Sequence, residues 1–263
     1  MNLLSNKFPT KELQMRDAAH HMHPFTAQAE LGEKGARVIT RANGVFVYDS
    51  EGEEILDAMA GLWCVNIGYG RHELAEVAAR QMKELSYYNT FFQTTHVPAI
   101  ELAEKLAELA PFDLNHVFFA GSGSEANDTN IRLVRHYWAL KGKPNKSVII
   151  SRKNAYHGSS IGSGSLGGMS AMHDQGGMPI PDIYHINQPN WWSEGGEMSP
   201  EDFGLACAQE LEEKIKFLGV DRVAAFIAEP VQGAGGVIVA PVSYTHLRAH
   251  ETLRYLVCRL LLE

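Results

Sequence analysis

Cysteine is scarce in this sequence: three thiols, Cys64, Cys207 and Cys258, are scattered over 263 residues. They form neither a paired framework nor a zinc-ligand spacing, which excludes a disulfide-stapled scaffold and points to a reducing compartment, the cytoplasm. Long apolar runs are also missing. No stretch reaches the ~18 apolar residues that a membrane span needs. The opening MNLLSNKFPTKELQMRD has no sustained apolar core, so no secretory leader is expected. Basic charge is in deficit, with 23 Lys and Arg against 31 Asp and Glu for a net charge of −8. Nucleic acid and anionic membranes call for a basic face, so neither is expected as a partner.

What is present is ordinary globular composition, 45% hydrophobic and 21% charged, in a chain long enough for one large domain or two small ones. ARVITRA and GVFVYD read as short strands, with turn signals at Asn43-Gly44 and Ser50-Glu51-Gly52, giving a hairpin or small meander. HELAEVAARQMKEL (72–85) and PAIELAEKLAELA (98–110) carry apolar residues at helical spacing. NHVFFAG (115–121) is a β-type run, followed by a capped helix, the strand SVIISR (147–152) and a Gly/Ser/Met-rich loop region. A helix over 200–219 and the strand VAAFIAEPV (223–231) complete the pattern. Strands alternating with helices of 13 or more residues predict an α/β domain with a largely parallel sheet.

Three segments carry chemistry. Gly121-Ser122-Gly123-Ser124-Glu125 lies between a strand and a helix. Exposed N–H groups at a helix start, with the dipole and Ser hydroxyls, bind phosphate. Ser122 and Glu125 also have capping-box spacing, and both readings stay open. The segment is neither G-x-G-x-x-G nor a P-loop. Asn154-Ala155-Tyr156-His157-Gly158 follows a strand at the ligand edge of a parallel sheet, where an aromatic ring either stacks on a planar ligand or caps a surface loop. Glu229-Pro230-Val231-Gln232-Gly233-Ala234-Gly235-Gly236 puts a carboxylate at a third strand end, as a ligand contact or as turn chemistry.

Taken in order and spacing, AGLWCVNIGYG, SYYNTFFQT, FFAGSGSEANDT, NAYHGSS and AAFIAEPVQGAGGVIV resemble the class III, or omega, aminotransferases. These are fold-type I enzymes that use pyridoxal 5′-phosphate. The resemblance runs from about residue 15 to Ala240 and is closest to the branch that moves amino groups from diamines, polyamines or ω-amino acids to pyruvate; DAMAGLWCVNIGYG and SLGGMSAMHDQGGMPIPDIYHINQP resemble putrescine or spermidine–pyruvate enzymes most. Another class III activity, such as β-alanine transfer or aminomutation, is the alternative, and a non-catalytic fragment is a further one. The resemblance implies a three-layer α/β/α large domain over 56–240 and a small-domain segment, helix plus antiparallel strands, over 1–55. It implies that Ser122, Gly123 and Ser124 hold the cofactor phosphate. Tyr156 would stack on the ring, His157 and Gly158 would shape that wall, and Glu229 would lie toward the ring nitrogen. Phe25, Trp63, Tyr88 and Phe91 would line the substrate pocket, the last two across a homodimer interface. On pattern alone Trp63, Tyr88 and Phe91 read as core packing.

The last 23 residues, PVSYTHLRAHETLRYLVCRLLLE, differ in character: they lack Gly and carry +1, leaving −9 on the preceding 240. They resemble a translated sequencing adapter, so 241–263 is expected to be a non-native tail on a chain cut near Ala240; on pattern LRYLVCRLLL also reads as an amphipathic helix. The family's cofactor-linking Lys, and an Asp in a D-E-V type segment, lie beyond E-P-V-Q-G-A-G-G, and no residue here matches either. No catalytic residue is therefore assigned, and inactivity of this chain alone is expected. Lys146 and Lys153 are assigned to the solvated surface, as is the acidic helix face of Asp202, Glu210, Glu212 and Glu213. Trp191 and Trp192 are assigned to packing or an interface. His20, His21 and His23 lack a companion ligand in the pattern, so no metal site is assigned.

Overall fold

A computed structural model describes residues 8–111 and 114–245, and the chain divides into two units, Met1–Leu109 and Ala110–Glu263. The first opens with helices α1 (Thr10–His20) and α2 (Gln28–Lys34) and the antiparallel meander β1 (Ile39–Asn43), β2 (Phe46–Asp49) and β3 (Glu54–Leu56). The first turn falls at Asn43-Gly44 as expected, with Gly44 at φ 59°. The second is closed by Asp49, whose Oδ1 accepts the N–H groups of Glu51 and Glu53 at 3.0 and 2.9 Å. A single turn, α3 (Ala60–Trp63), precedes α4 (His72–Glu84) and α5 (Val97–Leu109), which match the helical periodicity. Their apolar stripe is not a core: neither helix holds a buried residue, and Leu74, Val77, Ile100 and Leu106 are exposed.

The second unit is built on a parallel sheet. Helix α6 (Gly123–Leu140) precedes the strand β4 (Val148–Arg152). The region expected as loop holds two short helices, α7 (Ile161–Leu166) and α8 (Ser170–His173), then strand β5 (Ile183–Ile186) and the turn α9 (Trp191–Glu194). Helix α10 (Pro200–Leu218) follows. Its Ser199 cap accepts from the Asp202 N–H at 3.1 Å, Pro200 fits the first helical position, and Gly219 ends it at φ 97°. Strand β6 (Val223–Phe226) stops earlier than its sequence run, and β7 (Val231–Gln232) pairs antiparallel with β8 (Ile238–Val239).

The sheet order is β5-β4-β6, all parallel, so β4 is central and its five residues are buried. Successive side chains of β4 face opposite layers. Ile149 packs with Ile131 and Val134 of α6, Leu166 of α7, Ile183 and Ala225. Val148 and Ile150 pack with Leu211 and Leu218 of α10, Ile186 and Val223. The result is the expected three-layer α/β/α arrangement. The run 115–121 forms no strand, and Phe118 and Phe119 are exposed. A β-type run becomes a strand only where a ladder receives it. The open edge at β6 is met instead by Trp138, whose Nε1–H donates to the Ala224 carbonyl at 3.0 Å.

Of the segment expected to be non-native, only 241–245 lies within the described residues. Tyr244 is buried with Phe203, Cys207 and Ala208, and Ser243 Oγ donates to the Glu201 carbonyl at 2.8 Å. Residues 246–263, including the amphipathic-helix alternative and Cys258, lie outside them. Among the described residues no helix is long and apolar enough to cross a membrane.

Truncating the central strand tests this layering. Ile150→Ala is expected to destabilise the chain by about 2–5 kcal/mol, read as a lower urea midpoint.

Candidate functional site

The three segments singled out in the sequence meet at the carboxyl end of the parallel sheet. Helix α6 starts at Ser122, whose Oγ accepts the Glu125 N–H at 3.2 Å, while Glu125 Oε2 takes the Gly121 N–H at 2.7 Å. The Ser122 cap is therefore formed, while the Glu125 carboxylate closes on Gly121 rather than on the Ser122 N–H of a full capping box. The backbone around Gly123 stays open: apart from its chain neighbours and its own helix backbone, no atom of the described residues lies within 4 Å of where a Cβ would stand. The next turn of α6 faces the loop after β4. Ser124 Oγ accepts the Ser159 N–H at 3.0 Å, the buried Asn127 donates Nδ2–H to the His157 carbonyl at 2.7 Å, and Asp128 Oδ1 accepts the Ser163 N–H at 2.8 Å. Asn127 and Asp128 lie inside the quoted motif without an assigned role. Their signal was two polar residues at the point where an amphipathic helix turns its apolar face inward.

Glu229 joins the third segment to the second. Its Oε1 accepts the Tyr156 N–H and its Oε2 the Gly233 N–H, both at 3.0 Å. Its own carbonyl accepts from Arg152 Nη2. The buried Gln232 adds a donation to the Lys153 carbonyl at 3.0 Å. Two glycines permit the close approach. A Cβ on Gly158, at φ 131°, would lie 2.3 Å from Ser163 Oγ and 2.6 Å from Ser124 Oγ. One on Gly235 would lie 2.4 Å from the Asn154 carbonyl oxygen. Tyr156 is left partly exposed at 38%, while the neighbouring His157 is buried.

Burial, followed by the charges of Arg152 and His185, pushes His157 down to about 4. Its Nε2 is buried without a hydrogen-bond partner among the described residues. A cleft of about 360 Å³ opens at the same helix start, between Phe118, Phe119 and Gly121 on one side and Glu125, Asp128 and Arg132 on the other. Its lining does not include Tyr156 or Glu229.

The surface assignments divide. Lys153 is exposed and reaches Asn187 Oδ1 at 2.7 Å. Lys146 corrects its expectation: it is buried, donates to the Val220 carbonyl at 3.0 Å and lies 4.4 Å from the Trp138 ring centroid. Burial lowers its ammonium from the ordinary lysine range. Glu210 is not merely solvated, since its carboxylate accepts the Asn187 N–H at 3.2 Å. Trp191 packs at the end of α10, whereas Trp192 is exposed.

The first unit carries the four aromatic residues, and the core-packing reading of Trp63, Tyr88 and Phe91 fails there. Phe25 and Tyr88 are exposed, and Trp63 and Phe91 are 58% and 71% exposed. Trp63 ends a turn in which Ala60, Gly61, Leu62 and Trp63 all adopt left-handed φ between 48° and 64°. Asp57 holds that turn. Its Oδ2 accepts the Gly61 N–H and the Tyr69 hydroxyl, each at 2.7 Å, and its Oδ1 the Met59 N–H at 3.3 Å. The Tyr69 hydrogen bond, aided by the two N–H groups, keeps the Asp57 carboxyl below its ordinary range.

Two measurements test the site. Glu229→Gln keeps one acceptor and turns an amide N–H toward the other backbone donor. Faster hydrogen exchange at the Tyr156 or Gly233 amide is expected, with about 1–3 kcal/mol lost. For His157, the unfolded imidazole titrates near 6.5 and the folded one near 4. The stability of the neutral folded form is complete above 6.5 and is lost as pH falls from 6.5 toward 4. His157→Gln is expected to flatten that part of the stability–pH curve, and an unchanged slope would contradict the assignment.

The sequence profile of aminotransferase class III matches residues 28–252. The putrescine–pyruvate aminotransferase of Pseudomonas aeruginosa is 60% identical over 244 residues, covering 93% of this chain and 54% of that protein. Among solved structures, an (S)-enantioselective omega-transaminase from Thermomicrobium roseum gives a TM-score of 0.91 at 44% identity, over 95% of this chain and 56% of its own. An omega transaminase from Pseudomonas jessenii in complex with PMP gives 0.90 at 39%, over 92% and 54%. The chain spans about half the length of these relatives. Its α/β fold is theirs over that span, and the chain belongs to the class III aminotransferase family.

Proposed function

We propose that this chain supplies the cofactor-phosphate and ring-contact surfaces of an enzyme that moves amino groups from a diamine or polyamine to pyruvate. One geometry carries the reading: Glu229 clasps the loop bearing Tyr156 while α6 presents its open, glycine-flanked start to the same loop through Ser124. The residues fit pyridoxal 5′-phosphate. The space over Gly123 admits a phosphate to the N–H end of an 18-residue helix, and the partly exposed Tyr156 offers a ring face. Gly158 lacks the Cβ that would collide with Ser124, and His157 leaves Nε2 without a partner among the described residues. Ser122, Gly123 and Ser124 would hold the phosphate, and Tyr156 would cover the ring with His157 and Gly158 behind it. Glu229 fixes the height of Tyr156 through its backbone. When bound, the cofactor supplies an aldehyde that carries amino groups and a ring that draws electrons from the reacting carbon.

In the first unit, Phe25, Trp63, Tyr88 and Phe91 are assigned to the substrate, their apolar surfaces suiting the methylene chain of a diamine. The relative named for putrescine and pyruvate supports this donor and acceptor. Assembly as a homodimer and a cytoplasmic location belong to the same proposal.

Titration of the chain with pyridoxal 5′-phosphate tests the binding surface. The cofactor is expected to raise the melting temperature, with Ser124→Ala and Tyr156→Ala each weakening binding about tenfold, the ~1.4 kcal/mol of one lost contact. No shift with either the cofactor or inorganic phosphate would overturn the site. The donor is tested by alanine formation from pyruvate in an enzyme of the relatives' full length that carries this chain. Inert putrescine and spermidine beside reactive β-alanine would overturn the diamine assignment.

A further inference from the structure

Outside this site, the described residues hold one group of three side chains suited to a metal ion: Asp17, His21 and His23. The sequence pattern showed the histidines without a companion, and folding supplies it. Asp17 lies on α1 one helical turn before His21, which puts both side chains on one face. At His21 the chain leaves the helix in extended conformation, φ −115° and ψ 118°. That exit brings His23 to the carboxylate's other oxygen. Asp17 Oδ1 is 3.0 Å from His21 Nδ1, Asp17 Oδ2 is 2.8 Å from His23 Nε2, and the imidazole centroids are 4.2 Å apart. Gln28 Nε2–H donates to the His23 carbonyl at 2.6 Å and fixes the backbone there.

We propose that Asp17, His21 and His23 bind a divalent transition cation, with zinc as the reference case, through one Asp17 oxygen, His21 Nδ1 and His23 Nε2. Two imidazoles and one carboxylate form a mixed nitrogen and oxygen set, which favours zinc, copper, nickel or cobalt over magnesium or calcium. Tetrahedral zinc bonds of about 2.0–2.1 Å place neighbouring donors about 3.4 Å apart. With one ligand atom from each residue, the three donors lie within 4.8 Å of one another, so a side-chain adjustment of about 1.4 Å at most brings them to that spacing. Each imidazole proton now directed at Asp17 moves to the other nitrogen of its ring, so the ligating nitrogen is free and no oxidant or reductant is required. Access is open on the His21 side, whose side chain is 62% exposed, while those of Asp17 and His23 are 20% and 24% exposed. With three protein ligands, water completes the coordination shell. The proposal is independent of the aminotransferase reading.

Calorimetric titration of the full chain with zinc is expected to show one site. Asp17→Asn, His21→Gln and His23→Gln should each weaken it at least about tenfold, whereas His20→Gln on the same helix leaves it unchanged. Equal affinity in wild type and the three ligand variants, or an equal loss in His20→Gln, would overturn the site. Cobalt titration of the unsubstituted chain gives a readout free of any folding defect. Intense ligand-field absorption is expected, and the spectrum of hydrated cobalt alone would overturn the proposal.

Discussion

A single carboxylate holds two loops of the candidate site in register. Tyr156 follows the central strand and Gly233 lies in the turn between β7 and β8, and both direct a backbone N–H at Glu229. Neither loop is regular structure, so neither satisfies these N–H groups through a ladder of its own. A charged acceptor makes the bonds stronger than neutral ones would be, and it spends both oxygens on backbone. The side chain therefore acts as a brace on the backbone that carries the Tyr156 ring.

The brace works because its foundations are buried. Arg152, at the end of the wholly buried β4, donates to the Glu229 carbonyl from inside the unit. On the other side, α6 ties itself to the loop through Ser124 and Asn127. The same helix packs Ile131 and Val134 onto the sheet. Hydrophobic burial thus sets the depth of the helix, and two side-chain hydrogen bonds convert that depth into the position of the loop. His157 sits where these constraints converge, too deeply buried to be charged at neutral pH.

Much of this arrangement was legible in the chain. The three site segments announced themselves because glycines, hydroxyls and a lone carboxylate stood at strand and helix ends, where local chemistry has few alternatives. The meander and the parallel three-layer unit followed from turn residues and periodicity. Other features needed tertiary information. The 115–121 run has strand composition, but composition does not supply a neighbouring ladder. Lys146 reads as surface because lysine usually is, yet its ammonium lies over the Trp138 ring and donates to a carbonyl. The partner of the N-terminal histidines lay four residues upstream, visible only once the helix register was known. Trp63, Tyr88 and Phe91 read as core by hydrophobicity, a scale that cannot tell a packed ring from one held out for a ligand.

The turn at Ala60–Trp63 has a further consequence. Left-handed backbone at Ala60, Leu62 and Trp63 costs of order 1–3 kcal/mol per residue, because a Cβ crowds the following carbonyl. Drift toward glycine or asparagine there would raise the melting point of the fold. If Trp63 is the substrate contact assigned to it, the same drift would loosen the ring's aim. Selection for robustness and selection for turnover then pull this turn in opposite directions.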